Sequence, residues 1–171
     1  RLLPYLLIAP TLLGVLLSIL LTGWHVPWPA AVLIIIVLGA LLGAFHGVLI
    51  TRLQLQPFIV TLCGLLLYRG LARFIANDET KGFGDAAGFQ TLQRLATGSV
   101  MSVPTPFVAL VVTSVVMWVL LHRTVYGRHL FATGRNEVAA RYSGINVRRI
   151  VMSAYITLGA LAGVGAIIFG F

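Results

Sequence analysis

Apolar residues fall into five long runs separated by polar breaks, at about 2–22, 30–50, 57–76, 105–122 and 150–171. Each run is close to the roughly 20 residues that a helix needs to cross the hydrocarbon core of a bilayer. Backbone N–H and C=O groups in lipid must be satisfied within their own segment, which makes helices the reading of all five. The expected fold class is therefore all-α, a polytopic membrane protein with about five transmembrane helices and a single domain over 1–171. Residues 2–51 carry no charged side chain, and Gly23 to Pro29 divides them into a helical hairpin. Trp24 and Trp28 suit the headgroup level. His25 beside them reads as interfacial, since no second His or Cys stands at ligand spacing. Pro4 falls in a first turn, where its missing N–H costs little, and Pro10 is expected to kink the first helix.

Small residues set a finer pattern inside the runs. Gly39, Gly43 and Gly47 recur every four positions, with Ala40 and Ala44 on an adjoining strip, and so form a smooth face that another helix can approach until backbones touch. This predicts a packing face and no activity. The last run, with Ser153, Ala154, Gly159, Ala160, Ala162, Gly163 and Gly165, predicts packing against protein for the same reason. His46 is a single imidazole in an apolar helix and reads as a hydrogen-bonded packing residue. Arg69 and Arg73, four apart, share a face of the third run. A charge within a span is a functional candidate; yet the two lie about 18 Å and about 24 Å of helix rise from Pro57, within reach of the far surface by snorkelling. Both readings stand at this stage.

The polar breaks differ in charge. Six of the twelve Lys and Arg residues, Arg123, Arg128, Arg135, Arg141, Arg148 and Arg149, lie between 123 and 149 against one acid, Glu137. Such an excess marks a cytoplasmic loop, and Arg52 in the short turn before Pro57 fits the same side. The break at 77–104 holds Asp78, Glu79, Lys81, Asp85 and Arg94 in near balance and is expected to be periplasmic. Its Gly-rich middle reads as loop, while Phe89, Leu92 and Leu95 are spaced for a short surface helix. Within the basic loop Asn136 is placed to cap a helix of about two turns, and Gly144 to close it in a left-handed conformation. Val138, Ala139 and Tyr142 then share one face and Arg141 falls away from it. A short amphipathic helix between spans suits docking into a groove of a partner. Charge alone leaves an ordinary topology-setting loop equally open.

Composition narrows the class. The chain has 59% hydrophobic and 9% charged residues with a mean hydropathy of +1.01, far from the roughly 25% charged content of soluble domains. A net charge of +8 does not point to nucleic acid, because the cations gather at one membrane face and not along a stripe with stacking aromatics. Cys63 is the only cysteine; no internal disulfide is available, and its apolar setting predicts an inert packing thiol. The first run is too long for a signal-peptide core and lacks a small-residue cleavage pattern.

The segment GRHLFATGRNEVAARYSGINVRR, Gly127 to Arg149, resembles the cytoplasmic loop of bacterial sugar permeases of the ribose, xylose and galactose type, the membrane subunits of ATP-binding-cassette importers. Pro57, Phe58, Ile59, Thr61, Leu62, Arg69 and Gly70 resemble a second family segment, GALLGAFHGVLI a third with His46 where Asn is more usual, and Tyr155, Thr157 and Gly159 a fourth. The resemblance implies that Gly134, Asn136, Glu137, Ala139, Ala140 and Gly144 belong to a coupling helix that meets an ATPase subunit; Val138 separates Glu137 from the Ala-Ala pair, as is common in this branch. It makes Thr61, Arg69 and Gly70 candidates for the translocation pathway or an interface, and Gly39, Gly43 and Gly47 a helix-packing face. It implies a bacterial inner (plasma) membrane location, a second permease copy, a periplasmic sugar-binding protein that selects the sugar, and ATP and Mg held by the partner subunit. Family members are about twice this long, and a Gly-Gly-Ile-Asp-Leu-Ser stretch of theirs is absent. The chain is therefore expected to be a fragment or a truncated product.

No residue is a candidate for catalysis or for holding a metal or cofactor. The single lysine, Lys81, sits in no phosphate-binding loop, and neither a Gly-x-Ser-x-Gly elbow nor a His-Glu-x-x-His pair occurs. Three carboxylates in the 77–104 break raise a membrane enzyme using a divalent cation, but no repeated acidic motif accompanies them. A secondary transporter would carry an ionisable relay or broken helix at the midplane, and no run contains an acid. The importer permease is the leading reading, the secondary transporter the alternative, the membrane enzyme third.

Overall fold

The computed structural model describes residues 3–22, 27–77, 99–100 and 103–169. Helices α1 (Leu3–Thr22), α2 (Trp28–Thr51), α3 (Pro57–Ala76), α4 (Thr105–Arg123), α5 (Val125–Arg135), α6 (Glu137–Tyr142) and α7 (Val147–Phe169) follow one another. A two-residue antiparallel ladder, β1 (Ser99–Val100) with β2 (Val103–Pro104), precedes α4. Among the described residues four helices, α2, α3, α4 and α7, are long and apolar enough to cross a membrane. The 20 residues of α1 run unbroken through Pro4 and Pro10. The protein is an all-α polytopic membrane protein. The expected short helix around Phe89, Leu92 and Leu95, the residues Trp24 and His25, and the charges between Asp78 and Arg94 lie outside the described residues.

Proline begins three spans. Pro29, Pro57 and Pro106 sit in the first turn of α2, α3 and α4, where an N–H would have no partner and the fixed φ already suits a helix. Asn77 closes α3 in a left-handed conformation at φ 54°, its N–H reaching Arg73 and Phe74 carbonyls. Several hydroxyls in the spans bond to their own helix: Thr51 donates to Gly47 O at 2.6 Å and Thr157 to Ser153 O at 2.9 Å. Such back-bonding keeps these hydroxyls from facing lipid without a partner.

The bundle is α1, α2, α3 and α7. Leu12, Leu13, Leu17 and Leu21 of α1 meet Ala31 and Ile35 of α2, Tyr68 and Ala72 of α3, and Ala162 and Ala166 of α7 in one core. The closest seam joins α2 to α7. A Cβ added at Gly39 would collide with the Gly159 carbonyl, one at Gly43 with the Tyr155 carbonyl, and one at Gly159 with the Gly39 carbonyl. A Cβ built at Gly47 would lie 3.3 Å from the Met152 side chain, and one at Gly163 3.0 Å from the Ile35 carbonyl. Numbers rise along one helix as they fall along the other, so the pair is antiparallel. The Arg52 end of α2 and the Arg148-Arg149 end of α7 therefore share one end of the bundle. Helix α4 stands apart: it packs chiefly on α5 and the short ladder, and none of its residues is buried.

Two features correct the sequence reading. The 123–149 segment is not a loop with one short helix, because α5 occupies Val125–Arg135 before α6 begins. The turn into α5 depends on Thr124, whose hydroxyl accepts from Gly127 N at 3.3 Å, and on Gly127, where a Cβ would collide with the Leu121 carbonyl. Cys63 is exposed on the outer side of α3 and not packed within the bundle.

Candidate coupling helix and buried polar cluster

Helix α6 is built from its two ends. Asn136 is its N-cap, and the Oδ1 atom accepts from Ala139 N at 3.0 Å, satisfying one of the orphan donors of the first turn. At the other end Gly144 has φ +81°, a region that a Cβ disfavours. Ile145 N donates to Ala140 O at 3.1 Å and Gly144 N to Arg141 O at 3.0 Å, the paired reverse bonds of a Schellman closure. Asn146 then caps the next span, accepting from Arg149 N at 3.2 Å. A six-residue helix has little stability of its own; here both ends are closed by side chain or reversed backbone.

Its faces divide the labour. Ala140 is buried and holds α6 against the protein, while Val138 is 61% and Tyr142 89% exposed, with Ala139 exposed beside them. Large apolar side chains this open on a helix outside the spans offer a surface on which a partner could dock. Glu137 at the first position favours the helix dipole and pairs with Arg141 one turn on; both side chains are more than half exposed, so the pair adds little stability. Gly134, in the last turn of α5, is exposed and nothing lies near a Cβ built there. Gly134, Asn136, Glu137, Ala139, Ala140 and Gly144 thus form one continuous piece at the Arg52 end of the bundle.

The candidates on α3 are not brought together. Thr61 is buried, its hydroxyl shared between the Pro57 and Phe58 carbonyls at 3.0 Å each. Arg69 and Gly70 are exposed on a different side, and a Cβ at Gly70 would meet nothing. A buried polar contact between two helices lies elsewhere. The His46 Nδ1 atom is 3.0 Å from Leu42 O and 3.1 Å from the Tyr68 hydroxyl, and the ring edge rests on Gly64, 2.5 Å from where a Cβ would be. Sequence reasoning found His46 but not Tyr68 or Gly64, whose role depends on how α3 is rotated against α2. It also missed Thr124, Gly127 and Asn146, although a Thr or Asn before a helical stretch was a readable cap signal.

No group of three or more His, Cys, Asp or Glu residues among the described residues is placed to hold a metal. The described residues thus form a bundle of membrane spans with a capped, exposed helix on its basic end. The chain matches the family described as "Branched-chain amino acid transport system / permease component" over residues 6–171 and belongs to it; it is a multi-pass protein of the bacterial inner (plasma) membrane. It is 34% identical over 148 residues to the ribose import permease protein RbsC of Escherichia coli strain K12, covering 86% of this chain and 46% of that protein. To the ribose import permease protein RbsC of Bacillus subtilis strain 168 it is 39% identical over 125 residues, 72% of this chain and 38% of that one. To the galactofuranose transporter permease protein YtfT of Escherichia coli strain K12 it is 34% identical over 130 residues, 76% and 37%. The chain spans less than half the length of these relatives. No solved structure matches it.

Proposed function

We propose that the chain is part of the membrane-spanning permease subunit of an ATP-driven importer for a monosaccharide, a ribose-like pentose or a hexose. The observation that carries this is α6, closed at Asn136 and Gly144 and presenting Val138, Ala139 and Tyr142 outward. Docked in a groove of an ATPase subunit, a rigid helix of this kind transmits closure of the nucleotide sites to α7 and, through α5, to α4. ATP and Mg are bound by that subunit, the sugar arrives on a periplasmic binding protein, and a second permease copy completes the pathway. The sugar names printed for the relatives support the substrate class.

The same reading puts Arg1, Arg52 and 123–149 in the cytoplasm and 77–104 in the periplasm, which the shared end of α2 and α7 supports. Single cysteines at Gly84 and Arg135, in a Cys63→Ala background, test it with an impermeant maleimide on intact cells: labelling at Arg135 and none at Gly84 would invert the topology. Coupling is tested in the full-length permease with Gly144→Val and Glu137→Lys. A β-branched residue resists φ +81°, and a cation at the helix N-terminus opposes the dipole. The expected outcome is normal membrane levels, lost sugar uptake, and either weakened ATPase association or ATP hydrolysis no longer stimulated by the loaded binding protein. Normal uptake by both variants would leave the segment a topology determinant only.

A further inference from the structure

The turn between α4 and α5 carries a cluster that the coupling role does not use. Trp118 and His122 are stacked, with ring centroids 5.6 Å apart and planes at 23°. The Arg123 guanidinium carbon lies 5.8 Å from the Trp118 ring centroid, and Phe131 of α5 closes on His122 with centroids 5.7 Å apart. Because Phe131 reaches back to the last turn of α4, α5 lies at the level where that span leaves the hydrocarbon. Arg128, Phe131 and Arg135 are three and four positions apart, share one side of α5, and are all exposed. Glu137, the one carboxylate among the described residues, is paired with Arg141 and serves none of these cations.

We propose that this cluster binds the headgroup of an anionic phospholipid, with Arg123 and Arg128 on the phosphate and Trp118, His122 and Phe131 at the acyl boundary. Charge complementarity selects the occupant: several guanidiniums, no acid, and aromatic rings of the amphipathic kind that settle at headgroup depth. The span beneath has no buried residue, so the rings are open to a lipid on the side where α5 ends. Arginine suits the role because its fork bonds phosphate oxygens in pairs while its flat face lies on an indole. The bound lipid fixes α5 at the surface, and α5 in turn holds the start of α6. The inference does not rest on the importer reading, since it requires only a membrane protein with this turn.

The test uses the full-length permease in nanodiscs of phosphatidylcholine alone or mixed with phosphatidylglycerol, with retained lipids counted by native mass spectrometry. The unaltered protein should keep phosphatidylglycerol in preference to phosphatidylcholine. Each guanidinium near an anionic surface is worth about a five-fold change in partition, so R123Q/R128Q should lower phosphatidylglycerol retention about 25-fold and leave phosphatidylcholine unchanged. R123K/R128K, which keeps the charge, should recover most of it. Where the Gln variant fails to insert, a full-length protein in which every tryptophan except Trp118 is replaced by Phe decides, since headgroup binding predicts stronger quenching of Trp118 by brominated phosphatidylglycerol than by brominated phosphatidylcholine. Equal retention or equal quenching by the two lipids overturns the proposal. So does a Gln variant that keeps its lipid and loses its ATPase subunit, which would give the surface to a protein partner.

Discussion

Helices α2 and α4 are both long enough and apolar enough to span a membrane, with mean hydropathies of 2.6 and 2.0, yet they are used in opposite ways. Six residues of α2 are buried; none of α4 is. Hydropathy does not separate them, because lipid tails are as apolar as the side chains and drive no helix toward another. What separates them is where side chains are missing. Gly39, Gly43 and Gly47 clear a path for the backbone of α7, and Gly159 and Gly163 answer from the other side. Helix α4 has no glycine and a surface of Val, Leu, Phe and Trp, with Val112 56%, Val115 54% and Phe107 60% exposed. It offers no glycine path for the backbone of another span.

The strongest break of that comparison is Gly43→Leu. Its Cβ would collide with the Tyr155 carbonyl, and backbone cannot rotate away as a side chain does, so a loss above about 3 kcal/mol is expected. Thermal denaturation of the purified full-length permease should fall steeply; an unchanged melting temperature would show that α2 and α7 are not in backbone contact. Asn136→Ala removes the cap from a six-residue helix and should cost about 1 kcal/mol locally. Amide hydrogen exchange over 137–142 should rise, while exchange in α2 and α7 stays as it was. Gly70→Ala sharpens the contrast from the other side. Nothing in this chain approaches it, so the helix should gain about 0.5–1 kcal/mol from reduced freedom of the unfolded chain. A permease that becomes more stable but loses uptake would show that Gly70 touches a second copy or the sugar. The smallest effect is expected for Val115→Ala on α4, within about 0.5 kcal/mol, as for other exposed positions. A drop like that of Gly43→Leu would mean that α4 is packed as tightly as the bundle.

The candidate coupling helix was legible for a reason the packing was not. Its caps are local: an Asn accepting from an amide three residues on, and a Gly supplying positive φ, act through neighbours in sequence and leave a mark there. So do the lengths of the spans and the prolines that begin them. By contrast α5 was passed over because its Gly127, Gly134 and basic residues resemble loop composition, and its stability comes from α4, α6 and α7 packed around it.

The sequence by itself determined that the chain is a set of membrane helices, that one face of α2 is smooth, that the cations cluster near one end, and that Asn136 and Gly144 bound a helix. These follow from transfer free energy and local sterics, which depend on residue type and short spacing. Only the tertiary structure decided that α7 is the partner of that smooth face, that His46 meets Tyr68 across Gly64, that Thr61 turns inward while Arg69 turns out, and that Phe131 folds back onto His122. Each is a matter of how helices are rotated and paired. In lipid that choice rests on close packing between residues far apart in the chain, a property that no window of sequence contains.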